Sequence, residues 1–69
     1  MWIKNMWGNF INILVATNIR QDNQLVFAEF PNQETVNLFS GTEKDCQKYM
    51  TELEKELAAF GKLIRVKVD

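Results

Sequence analysis

Between Thr42 and Gly61 the sequence leaves itself one structure to adopt. Thr42 and Asp45 have the T-x-x-D spacing of a helix-opening cap. Cys46, Tyr49, Met50, Leu53, Leu57 and Phe60 then recur at helical spacing and form one apolar stripe. Glu43, Lys44, Lys48, Glu52, Glu54, Lys55 and Glu56 point mostly in other directions, and Gly61 falls where a left-handed helix stop is expected. Beyond it, Ile64, Val66 and Val68 alternate with Arg65 and Lys67, the pattern of a half-buried strand. Such a strand needs an edge to pair with, in its own sheet or in a neighbouring subunit.

Upstream, three strand patterns precede the helix. From Phe10 to Ile19, the residues Ile11, Ile13, Val15, Thr17 and Ile19 fall on one face and are almost all β-branched, which suits a buried pleated surface. Arg20 to Gln24 is a polar break with Asp22-Asn23 at its turn centre. Leu25 to Phe30 is the second strand, stopped by Pro31, which has no amide hydrogen to give a central ladder. Thr35 to Phe39 is the third, with Val36 and Leu38 on one face. Short polar turns between strands describe an antiparallel meander. A right-handed crossover through the helix can then lay the last strand parallel to one of the others.

Size limits what this pattern can do alone. A domain of 69 residues buries only about 60% of the surface its unfolded chain exposes. Small folds escape this with disulfides, metal or oligomerisation. Cys46 is the one cysteine and there is no histidine, so an intrachain disulfide is ruled out and a tetrahedral zinc set is not expected. Oligomerisation is left. With 46% hydrophobic residues the chain is far from a disordered composition, and a net charge of −1 lacks the basic excess of a dedicated nucleic-acid binder. The apolar N-terminal run is broken by Asn5, Asn9 and Asn12 and preceded only by Lys4, a poor signal-peptide pattern. No stretch approaches the roughly 18 apolar residues of a membrane span. The expectation is a cytoplasmic protein without a membrane partner.

The opening Met1-Trp2-Ile3-Lys4-Asn5, then Gly8, Ile11-Asn12-Ile13 and the Phe39-Ser40-Gly41-Thr42 ahead of the helix, resembles a group of short bacterial and phage proteins of unknown function. The resemblance covers residues 1 to about 57 and implies a tryptophan-containing first segment, three strands and a helix. It implies no activity, and Lys62 to Asp69 lies beyond its pattern.

Catalytic candidates are scarce. Without histidine there is no Cys-His or Ser-His pair. Cys46 lies on the apolar stripe and reads as a core residue, and Glu29 reads as a carboxylate at a sheet rim or on the wetter sheet face. Gly8, Gly41 and Gly61 stand apart and form no phosphate-binding motif; Gly8 marks a turn. Ser40-Gly41-Thr42 offers an anion only what nearly every helix start offers. No catalytic, cofactor-binding or metal-ligating residue is therefore assigned. Two features suit binding. Trp2 and Trp7, with Met1 and Met6, either fold over the open end of the core or serve an intermolecular contact, being residue types enriched at interfaces. Lys62, Arg65 and Lys67 are basic residues able to contact an anion or single-stranded nucleic acid, or simply to guard an edge strand.

Together these features predict an α+β domain over residues 1–69: a three- to four-stranded, mainly antiparallel sheet in the order β-β-β-α-β, with one amphipathic helix on one face. The function expected is non-enzymatic protein interaction, chiefly self-association through Trp2 and Trp7 or through Ile64, Val66 and Val68. A single-stranded nucleic-acid binder and a phage-type inhibitor of a larger host protein are the alternatives.

Overall fold

The structure, a computed structural model, describes residues 1–61 and 66–68. It is an α+β fold with two sheets. A two-stranded antiparallel hairpin pairs β1 (Trp2–Lys4) with β2 (Phe10–Asn12). The main sheet has the order β5-β4-β3-β6, formed by β3 (Asn18–Asp22), β4 (Leu25–Glu29), β5 (Thr35–Ser40) and β6 (Val66–Val68). The helix α1 (Glu43–Ala59) connects β5 to β6. β3, β4 and β5 form the expected antiparallel meander, and β6 lies parallel to β3 with Ile19 opposite Val66. The predicted crossover return is thus made within the chain for these three residues. Ile64, Lys62 and Arg65 lie outside the described residues.

The helix follows its sequence signals. The Thr42 hydroxyl accepts from the Asp45 amide at 3.1 Å. Cys46, Met50, Leu53 and Leu57 are the buried stripe. Phe60 departs from the pattern: it is the C-cap and 63% exposed. Gly61 follows with φ of 75°, a conformation that costs glycine least. One core joins this stripe to Ile19, Val26, Ala28 and Leu38 of the main sheet and to Ile11, Ile13 and Ala16 of the N-terminal segment.

The predicted strand from Phe10 to Ile19 is instead broken in two. The Asn12 carboxamide oxygen accepts from the Leu14 amide at 3.3 Å, and Ile13–Val15 form a 3-10 turn. A side chain that bonds its own local backbone competes with the ladder. As a result Ile11, Ile13 and Ile19 are buried while Val15 is 53% exposed. The second departure concerns Arg20 to Asp22, which continue β3 rather than forming a break. The turn contracts to Asn23-Gln24, with Asn23 at φ of 53°. A third feature is the bulge in β5: Val26 faces Phe39 and Phe27 faces Asn37, which leaves Leu38 as the extra residue. After Pro31, the Phe30 amide donates to the Glu34 carbonyl at 2.9 Å and Gln33 takes a φ of 67°, the usual closure of a three-residue hairpin loop. No helix among the described residues is long and apolar enough to cross a membrane.

Candidate functional site

Among the described residues the N-terminal hairpin carries most of the exposed large apolar side chains, and its hydrogen-bond parity explains why. The Ile13 amide donates to the Met1 carbonyl at 3.1 Å, and the Asn5 amide to the Asn9 carbonyl at 2.9 Å. Between them Ile3 faces Ile11. Bonded and non-bonded pairs alternate in an antiparallel ladder. Ile3–Ile11 is therefore a bonded pair, while Trp2–Asn12 and Lys4–Phe10 are non-bonded pairs with closely approaching side chains. Ile11 is buried and Ile3 half-buried against the core. Trp2, Lys4 and Phe10 consequently share the outward face, where Trp2 is 67% and Phe10 70% exposed. The Lys4 Nζ lies 5.9 Å from the centroid of the Phe10 ring, a contact worth about 0.5–1 kcal/mol at an exposed site.

The loop that joins the two strands is built around Asn5, which is buried. Its carboxamide oxygen accepts from the Asn9 amide at 2.8 Å and the Trp7 amide at 3.0 Å. Its carboxamide nitrogen donates to the Asn37 carbonyl of β5 at 2.9 Å. The Asn5 carbonyl accepts from Gly8, whose φ of 85° closes the turn. One residue further, the Met6 amide donates to the carbonyl of Leu38, the bulge residue. Asn5 thus shapes the loop and fastens it to the outer edge of β5, an edge that would otherwise present free backbone groups. Met6 and Trp7 project from this loop, both more than half exposed. A shallow groove between the loop and β5 is lined by Asn5, Trp7, Asn9, Thr35, Val36 and Asn37, none of them titratable.

On its other side the hairpin borders α1. A groove of about 210 Å³ separates Ile3 from Tyr49, Glu52, Leu53 and Glu56, smaller than the roughly 300–1,000 Å³ of small-molecule sites. Tyr49 stacks on Phe39 with ring centroids 4.9 Å apart and planes 11° apart. Burial, and after it the negative charge of Glu56, raise the Tyr49 phenol above its ordinary pKa. Because Tyr49 is the one tyrosine, phenolate absorbance on alkaline titration reads this group directly. The expected midpoint lies above that of free tyrosine, and Glu56→Gln brings it only part of the way back, since burial is the larger cause. Stability follows the same sign: the contribution of the neutral phenol is fully present below its unfolded pKa and is lost as pH rises through the folded one. A midpoint at the free-tyrosine value would contradict the packing of this ring.

Of the residues singled out in the sequence, Trp2 and Trp7 are exposed but occupy opposite ends of the hairpin: Trp2 on the outward strand face, Trp7 in the connecting loop. Trp2 shares its face with Lys4 and Phe10, which the sequence did not single out. Their common face follows from a register that appears only once Asn5 and Gly8 are recognised as the turn between them. Val66 and Val68 stand opposite Ile19 and Gln21 of the same chain, and Lys67 opposite Arg20. The Arg20 guanidinium lies 3.6 Å from Glu29, both about one-third exposed, so the pair contributes at most about 1 kcal/mol. Glu29 thus sits on the wetter face of the sheet, paired with a cation. Cys46 is fully buried, its thiol 3.9 Å from the Gly41 carbonyl. Comparison with family models, curated proteins and solved structures finds no match for this chain.

Proposed function

We propose that this chain is a non-enzymatic interaction module that self-associates through the outward face of its N-terminal hairpin. The observation that carries the reading is the exposure of Trp2, Met6, Trp7 and Phe10 on one hydrogen-bonded hairpin. Buried polar contacts hold that hairpin in place, so the aromatic surface is presented on an ordered scaffold and binding loses little conformational entropy. Tryptophan is the residue type most enriched among interface residues whose truncation costs about 2 kcal/mol or more. Apart from Lys4, residues 1–19 carry no side-chain charge, which lets two such faces meet without stacking like charges.

Sedimentation or light scattering at micromolar concentration tests this. The expected mass exceeds the 8.1 kDa of one chain, and Trp2→Ala weakens association about thirtyfold while leaving the circular dichroism of the fold intact. A wild-type protein that runs as a monomer across this range defeats the proposal.

A further inference from the structure

We infer that self-association proceeds by strand addition: the free edge of β1 pairs antiparallel with β1 of a second copy, about a two-fold axis passing beside Ile3. This rests on the self-association proposed above and specifies its geometry. The parity of the hairpin supplies the argument. Because Ile3 is in a bonded pair with Ile11, the backbone N–H and C=O groups of Trp2 and Lys4 point away from β2. None of these four groups has a partner among the described residues. The next outward donor, the Met6 amide, is already bonded to Leu38, so the open stretch is Trp2 to Lys4. It borders the groove beside Ile3 rather than a packed strand.

A two-fold axis at Ile3 places Trp2 opposite Lys4 of the second copy, and Lys4 opposite its Trp2. Both are bonded pairs, so each exchanges two N–H···O=C bonds and every unpartnered group of the edge is satisfied. The result is a continuous sheet in the order β2-β1-β1-β2. On its outward face a row forms in which Lys4 stands between its own Phe10 and Trp2 of the second copy. Each cation meets two aromatic rings and no other cation, a complementarity in charge that an isologous contact requires. On the inner face Ile3 meets its own counterpart above the grooves.

The discriminating variant is Lys4→Pro. It removes an amide that bonds nothing among the described residues, and proline is tolerated on the solvent side of an edge strand. Lys4→Gln removes the charge and keeps the amide. Sedimentation is expected to show Lys4→Pro associating about tenfold or more weakly than Lys4→Gln. In the wild type, hydrogen exchange followed by NMR should show the Trp2 and Lys4 amides gaining protection as concentration rises. The Ile3 amide, bonded to Ile11, should be protected throughout. If the wild type associates while the exchange of the Trp2 and Lys4 amides ignores concentration, strand addition is overturned and association by the aromatic face stands. A monomeric wild type overturns both.

Discussion

Asn5→Ala is expected to lower the free energy of unfolding by about 2–3 kcal/mol, more than any other polar substitution in the N-terminal hairpin. Alanine removes both acceptor contacts, to the Trp7 and Asn9 amides, and the donor contact to the Asn37 carbonyl. Each buried polar group stranded in this way costs about 1–3 kcal/mol. The sum is held down because Trp7 and Asn9 are exposed, so water can reach their amides once the loop relaxes. Asn5→Asp separates the two roles. It keeps both acceptors, loses the donor, and sets a negative charge against the Asn37 carbonyl, so its cost falls on the docking of the loop to β5. Urea unfolding of the three proteins gives the ranking: wild type, then Asn5→Asp, then Asn5→Ala. A loss under about 0.5 kcal/mol for alanine, the size of an ordinary surface substitution, would show that Asn5 does not hold the loop. The same variant reports on function. If the hairpin is an interaction surface, loosening its loop weakens association at concentrations where the variant is still fully folded.

Asn5 also shows where the sequence stops being legible. The helix could be read residue by residue because its signals are local: Thr42 bonds three residues ahead, and Gly61 ends the turn it follows. The loop after Phe30 was legible for the same reason, with Pro31 at its start. A carboxamide that gathers Trp7, Asn9 and Asn37 depends on a contact 32 residues away, which no local pattern encodes. Asn12 failed in the opposite sense. An alternating apolar pattern ran through it, yet one side-chain hydrogen bond to Leu14 turned the chain and put Val15 in solvent. For the candidate site, Trp2 and Trp7 were legible as large apolar residues in a segment with little to cover them. That Phe10 and Lys4 belong with Trp2 depended on hairpin register, which turn geometry sets.

Gln21 offers the sharpest test of the core, since the stretch holding it reads as a polar turn and is instead a buried strand. It is 1% exposed. Its carboxamide nitrogen donates to the Asn23 and Glu43 carbonyls, each at 3.2 Å, and ties the β3–β4 turn to the first turn of α1. Gln21→Glu changes one atom type and reverses this chemistry. A carboxylate has no hydrogen to give, so its oxygens face two carbonyls in a site that excludes water. The N-terminus of α1 favours a negative charge by about 0.3–1 kcal/mol, whereas desolvating an unpaired carboxylate costs several kcal/mol. Desolvation wins, and the substituted carboxyl is held protonated to a higher pH in the folded protein than in the unfolded one. The sign then fixes the pH dependence. Below the unfolded pKa, about 4.3 for a glutamate, the variant carries little electrostatic penalty. As pH rises above that value its deficit against wild type grows by about 1.4 kcal/mol per pH unit, until the folded carboxyl ionises. Urea midpoints of variant and wild type between about pH 4 and pH 7 should therefore diverge with rising pH. A constant difference across that range would mean that water reaches this position. Gln21→Leu makes the control: the carboxamide oxygen has no hydrogen-bond partner among the described residues, and leucine gives up the two donor contacts without adding a group that titrates. Its difference from wild type should be flat with pH, because leucine has no group to titrate.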